Sequence, residues 1–288
     1  MSNLPSAVRI VEVGPRDGLQ NQPKTLSVEQ KAEFIRLLGE AGLRDVEVAS
    51  FVHPQWVPQL ADADALIPRL PPNPSIRYSA LVPNMKGLER ALKSGIKRIA
   101  VFTAASETFN RKNINMGVSE SIEVFRPVVK RALQEEISVR GYISTCFVCP
   151  YEGPILKEKV SEVTRSLFDI GVDEVSIGDT IGAATPLDVE DTVGHLTTLF
   201  PASQLAMHFH DTYDMAIANV YASLRLGISV FDSSAGGIGG CPYAPGATGN
   251  VATEKLVYFF DRLKIDTGVS ASRLRDAAQY ISTTLKAA

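Results

Sequence analysis

The sequence predicts a closed (β/α)8 barrel of the TIM type, an α/β fold, with an additional C-terminal helical segment. Short β-branched runs alternate with longer amphipathic stretches along the whole chain. Four of the helical stretches end in a glycine that hands the chain directly to the next apolar run: Gly42-Leu43, Gly95-Ile96, Gly171-Val172 and Gly227-Ile228. Glycine tolerates the left-handed conformation that ends a helix, so this punctuation marks repeated parallel βα units. The 288 residues also suit a single barrel, which typically needs ~250.

In order, strands are expected at residues 8–13, 45–49, 77–81, 98–102, 139–144, 174–177, 204–209 and 229–232. The first helical stretch, 27–42, opens on Ser27, a good N-cap. Further amphipathic stretches run over 84–95, 118–136, 156–171, 186–200 and 214–227. A doubly wound open sheet is the alternative, but no Gly-x-Gly-x-x-Gly follows the first strand. No linker or composition shift interrupts the chain, so residues 1–288 read as one catalytic domain. Within it, 251–288 form the last barrel helix and the C-terminal extension.

Composition excludes several classes. Apolar residues make up 45% of the chain, enough for a sizeable core, and the net charge is −3. No basic face invites nucleic acid, and no apolar run is long enough to cross a bilayer. The first residues read as neither a signal nor a transit peptide. Three cysteines argue against a secreted disulfide scaffold. A soluble cytoplasmic protein is expected.

Barrel active sites lie at the C-terminal ends of the strands. There the chain carries Arg16, Asp17 and Gln20 after the first strand, then Glu47 and Ser50 at the second. Arg111 and Lys112 follow the fourth, Asp179 and Thr180 the sixth, and His208 and His210 end the seventh. A Gly/Pro-rich loop with Cys241, closed by Asn250, follows the eighth. Polar groups thus collect at one end. His208 and His210, two apart on a strand, project the same way and can bind one metal ion. Asp17, His208, His210 and Asn250 offer two nitrogens and two oxygens, which suits a hard or borderline divalent ion such as Mg²⁺ or Mn²⁺. Arg16 supplies a fixed positive charge for an oxyanion or enolate, and Glu47 can orient it. Asp179 is expected among the catalytic groups. Gln20, Ser50, Thr180, Arg111 and Lys112 are expected with Arg16 as substrate contacts.

Each signal has a plainer reading. Arg16-Asp17 alone is an ordinary surface ion pair, and a single cysteine is more often a small buried hydrophobe than an acid. Metal ligation and simple hydrogen bonding stand equally open for the histidine pair. Cys146-x-x-Cys149 lacks further zinc ligands and reads as strand-end cysteines. Arg111-Lys112 either meets a phosphate or is a solvated helix start. His195 and His53 read as structural.

Several segments together resemble the 3-hydroxy-3-methylglutaryl-CoA lyase family. They are residues 11–21 (Val-Glu-Val-Gly-Pro-Arg-Asp-Gly-Leu-Gln-Asn), 50–52, 56–59, 112–115, 178–182, 208–213 and 239–244. The resemblance runs from about Val8 to Gly268, and the Gly-Gly-Cys-Pro-Tyr loop is its most specific element. It implies a divalent-metal-dependent barrel that cleaves a 3-hydroxyacyl-CoA by a retro-Claisen reaction. In that family the products are acetyl-CoA and acetoacetate. It further implies that Asp17, His208, His210 and Asn250 hold the metal, that Arg16 stabilises an enolate, that Cys241 is the loop acid/base, and that Glu47 supports Arg16. His208 would also assist proton transfer. A homodimer and a place in leucine breakdown are implied too.

The chain departs from the family pattern at 144–149, at 235–239, and at Ala183, Ala184, Asp214 and Lys255. Phe147 and Val148 are expected to add bulk near the substrate. Citramalyl-CoA or a longer 3-hydroxy-3-alkylglutaryl-CoA is therefore an alternative substrate. A Claisen-type synthase is less favoured, because such enzymes lack the cysteine loop and carry extra C-terminal domains. A non-catalytic barrel would have lost Arg16, Asp17 or Cys241, and all three are present.

Overall fold

The computed structural model describes residues 4–240 and 249–287. The strands are β1 (Arg9–Glu12), β2 (Asp45–Ser50), β3 (Arg77–Leu81), β4 (Arg98–Ala104), β5 (Ser138–Ser144), β6 (Glu174–Asp179), β7 (Leu205–Phe209) and β8 (Val230–Ser233). All eight pair in parallel with their neighbours and close into a barrel. The seam is β1, where Val11 lies opposite Asp45 on one side and Asp232 on the other. The expected strands and the TIM-barrel fold class are therefore correct.

The helices are α1 (Val28–Glu40), α2 (Ala63–Leu66), α3 (Met85–Ser94), α4 (Glu107–Ile114), α5 (Val118–Gln134), α6 (Lys157–Asp169), α7 (Pro186–Leu199), α8 (Ala216–Arg225), α9 (Thr253–Arg262) and α10 (Ala271–Lys286). Local chemistry explains several ends. Ser27 forms a reciprocal capping box with Gln30 at the start of α1. Asn84 caps α3, which stops at Gly95 in the left-handed region. Between barrel and helices, α1 buries Phe34, Ile35 and Leu38 completely. Each such side chain contributes about 1.5–3 kcal/mol. The sequence pattern did not mark the short α2, nor α4, where Ser106 caps a helix of low apolar content, nor a short antiparallel ribbon pairing Val148–Cys149 with Gly153–Pro154.

The barrel interior is unusually polar. Arg140 on β5 bonds Asp232 on β8 at 2.7 Å, a contact between strands that are not adjacent, so it crosses the lumen. Arg140 also bonds Glu174 at 2.7 Å, and Arg9 and Arg98 pair with the same carboxylate. Asp45 bridges Arg9 and Arg77 nearby. The expectation that polar groups gather at one end of the barrel is thus corrected. A charged network fills the N-terminal end as well, its members paired with one another, which is what allows them to be buried.

Candidate active site

β1 ends in a tight turn, Gly14–Gly18. The Val13 carbonyl accepts the N–H groups of Arg16, Asp17 and Gly18, at 3.1, 2.7 and 3.2 Å. Coiling the chain so closely sets Arg16 and Asp17 at the C-terminal mouth, where both line a cavity of about 860 Å³. The guanidinium of Arg16 is held from three sides. Its Nη1 donates to Asp17 Oδ1 and its Nε to Glu47 Oε2, each at 2.6 Å, and it lies 5.4 Å from the Tyr142 ring centre. Both carboxylates hold Arg16 charged despite its burial. An arginine pinned this way meets a developing negative charge without reorganising.

Asp17, His208 and His210 each offer one ligand atom, and these atoms lie within 4.8 Å of one another. Burial pushes the Asp17 carboxyl up, but Arg16, His208, His210 and Asn250 outweigh it and hold the group below its ordinary value. Burial pulls His210 down to about 4, helped by His208 beside it, so its imidazole is neutral and its lone pair is available. Asn250 joins the cluster from the far side. Its Nδ2 donates to Asp17 Oδ2 at 2.8 Å, and its backbone bridges His210. Two glycines make room for it: a Cβ on Gly239 would meet Asn250 Nδ2 at 2.6 Å, and one on Gly249 would meet the Gly239 backbone at 2.7 Å. Both have positive φ.

The donor set fits a divalent cation. Asn250 Oδ1 and His210 Nδ1 are buried with no hydrogen-bond partner, and buried polar atoms are rarely left so. Two oxygens and two imidazoles match a hard or borderline ion.

The remaining expected residues divide. Gln20 donates to Asp17 Oδ1 at 2.8 Å and lines the cavity. Thr180 lines it too, its hydroxyl accepting the Thr145 N–H at 2.7 Å, and Lys112 stands at the mouth over the Tyr151 ring. Asp179 does not face the reacting space. Its carboxylate accepts the N–H groups of Ala183 and Ala184, both at 3.1 Å, and holds the β6–α7 loop. Ser50 is buried outside the cavity with its hydroxyl on the Val52 N–H. Arg111 points along α4 toward Glu107 rather than into the cavity. Cys241 lies outside the described residues.

Phe147, expected near the substrate, instead stacks on Phe209, with ring centres 6.3 Å apart, on the outer face of the barrel. His53, expected to be structural, stands beside Trp56 at the cavity mouth. Cys146 and Cys149 are buried thiols, and burial pushes Cys146 far up, which leaves it unreactive. Lys255, which departs from the family pattern, pairs with Asp211 at 2.6 Å.

Sequence reasoning missed Tyr142 and Asp232. Tyr142 forms part of the cavity wall with Leu81 and Phe102, and Asp232 lies beneath His208. The alternation of β5 places Tyr142 on the same inward face as Arg140, a signal the sequence did carry.

A parallel eight-stranded barrel with a carboxylate–imidazole cluster and a pinned arginine at its C-terminal mouth defines a (β/α)8-barrel enzyme. The chain belongs to the HMGL-like family, whose family model matches residues 7–281, and its close relatives are carbon–carbon lyases. It is 48% identical to hydroxymethylglutaryl-CoA lyase of Bacillus subtilis, over 96% of this chain and 93% of that protein. It is 49% identical to the 3-hydroxy-3-isohexenylglutaryl-CoA/hydroxy-methylglutaryl-CoA lyase of Pseudomonas aeruginosa, over 98% of this chain and 94% of that protein. The crystal structure of hydroxymethylglutaryl-CoA lyase from Pseudomonas aeruginosa superposes with a TM-score of 0.97, at 49% identity, covering 99% of this chain and 95% of that one.

Proposed function

We propose that this protein cleaves 3-hydroxy-3-methylglutaryl-CoA into acetyl-CoA and acetoacetate. The observation that carries the reading is the junction of Asp17, His208 and His210 with Arg16, itself locked to Glu47, on the cavity wall. Asp17, His208, His210 and Asn250 would hold the cation, with Mg²⁺ or Mn²⁺ preferred for this donor set. When bound, such an ion supplies Lewis acidity toward oxygen.

The chain's own groups account for the remaining chemistry. The C3 hydroxyl gives its proton to the loop acid/base, Cys241 as thiolate, and C3 becomes a ketone as the C2–C3 bond breaks. The bonding electrons move onto the thioester as an enolate. The Arg16 guanidinium receives that charge, and Glu47 and Asp17 keep the guanidinium aimed. Protonation at C2 completes acetyl-CoA, and we assign it to Cys241 on the loop after β8. His208 assists from the cavity wall and Glu47 from behind Arg16, to which it is bonded. Gln20, Thr180 and Lys112 contact the substrate, and Leu81, Phe102 and Tyr142 form an apolar wall for its C3 substituent.

That wall also favours a second reading, in which the substituent is longer than methyl. The Pseudomonas aeruginosa relative carries such a substrate in its name, and the cavity of about 860 Å³ has room. Citramalyl-CoA remains the other substrate to assay. Among the described residues no helix is long and apolar enough to cross a membrane. Free thiols at Cys146 and Cys149 suit a reducing compartment, and we place the enzyme in the cytoplasm, as a homodimer, in leucine breakdown.

The test is a product assay. Metal-free protein is given HMG-CoA, citramalyl-CoA or a 3-alkylglutaryl-CoA, with Mn²⁺ or Mg²⁺ and then with EDTA, and acetyl-CoA release is followed. Release from HMG-CoA that EDTA abolishes supports the reading. Release from another thioester alone moves the substrate, and release from none removes the lyase assignment.

A further inference from the structure

Beneath the cluster, on β8, sits the carboxylate of Asp232, only 2% exposed. Oδ1 accepts from Arg140 Nη2 at 2.7 Å, Oδ2 accepts from Ser176 Oγ at 2.7 Å, and Oδ2 lies 3.3 Å from His208 Nδ1. An ionised carboxylate has only lone pairs to offer, so the proton in the last contact belongs to the imidazole. His208 is then the Nδ1–H tautomer, and its Nε2 lone pair is the one left for a cation. Asp232 is itself immobilised. Arg140 bonds it with one nitrogen while its Nε donates to Glu174 and its Nη1 to the Tyr142 hydroxyl, at 2.7 and 2.9 Å. Glu174 on β6 is fixed in turn by Arg9 of β1 and Arg98 of β4, neither of them a strand that pairs with β6.

We propose that Asp232 is a positioning residue that sets the tautomer and ring orientation of His208, and that the charged network at the opposite end of the barrel braces it through Arg140. The proposal rests on the reading of Asp17, His208, His210 and Asn250 as a cation site. Carboxylate–histidine pairs of this kind raise ligand basicity and hold the ring in register. A purely structural carboxylate, present only to neutralise Arg140, would need no contact with His208.

The two accounts part at Asp232→Asn. The substitution keeps the size and leaves an oxygen for Arg140. Its NH₂ takes the place of Oδ2, facing Ser176 Oγ, which can turn to accept, and His208 Nδ1, which must now accept. The imidazole proton moves to Nε2 and the lone pair aimed at the cation is lost. The experiment titrates Mn²⁺ into metal-free wild type, Asp232→Asn and Ser176→Ala by calorimetry, and reads the His208 nitrogens by ¹⁵N NMR. Expected is a dissociation constant raised roughly 10–100-fold in Asp232→Asn, with the proton on Nδ1 in wild type and on Nε2 in the variant. Ser176→Ala, which removes the other partner of Oδ2 and leaves the tautomer alone, should bind like wild type. Wild-type affinity in Asp232→Asn would overturn the positioning role while leaving the cation site standing. A wild-type protein that binds no Mn²⁺ would overturn both. If Asp232→Asn fails to fold, the metal-free wild-type spectrum decides: a proton on Nε2 of His208 ends the proposal.

Discussion

Asn250 Nδ2 reaches Asp17 Oδ2 at 2.8 Å across 233 residues of chain. One oxygen-bearing side chain from the first strand's turn and one from the segment after the last strand are thereby locked together at the barrel seam. The bond uses the nitrogen of Asn250 and leaves its oxygen buried with no donor. It also makes each residue's position depend on the other.

Asp17→Ala should weaken Mn²⁺ binding by at least the roughly 10–100-fold seen on losing an outer-shell partner. Two effects combine, since a ligand oxygen disappears and Asn250 loses its brace. Asn250→Ala should act in the same direction, and the two losses should not add, because the residues touch. Calorimetry on the single and double variants checks this. Unchanged affinity in Asp17→Ala would remove Asp17 from the cluster.

Arg16→Lys retains the charge but not the fork that engages Glu47 and Asp17 together. We expect kcat to fall by roughly 10²–10³, as when an oxyanion donor is removed, with a much smaller change in KM. A variant with wild-type kcat would show that Arg16 does not meet the developing charge.

Cys241→Ala should leave Mn²⁺ affinity intact, because the cysteine is outside the ligand set, while turnover falls by roughly 10²–10⁴. Parallel calorimetry and acetyl-CoA release separate the two effects. Full turnover in this variant would sink the proton-transfer role.

Glu12 gives the protein a pH-dependent stability. It is fully buried at the end of β1, where it accepts from the Gly14 and Ala235 N–H groups and the Thr253 hydroxyl. Burial outweighs those bonds and pushes its carboxyl from 4.5 up to about 7. Between these values the unfolded chain has released the proton and the folded protein retains it. The associated stability is therefore full below about pH 4.5 and is lost as pH rises through about 7. At 1.36 kcal/mol per unit the whole effect is of order 3 kcal/mol. Glu12→Gln should flatten this fall, measured by urea unfolding at about pH 5 and about pH 8. Asp179, pushed up to about 6 by burial, adds to the slope of both proteins and not to their difference. Equal slopes in the two proteins would place the titration elsewhere.

Whatever depends on neighbours along the chain was legible in the sequence. Ser27 and Gly95 announce helix ends because a cap acts within one turn. Arg16, Asp17, His208 and His210 could be gathered into one site because a parallel barrel brings all its strand ends to one mouth. What remained hidden depends on partners far away in the chain. Asp232 in Val-Phe-Asp-Ser looks like any strand residue until Arg140, 92 positions away, crosses the lumen to meet it. Ser50 and Asp179 share the strand-end address of the true site residues, yet turn to backbone groups a few residues on. Phe147 sits near the mouth in sequence but faces Phe209 outside it. Periodicity and caps thus determined the barrel and the list of candidate groups, since those are set by local backbone preference. Only the closed tertiary structure decided which candidates converge, because direction and burial follow from packing between strands that the chain connects last.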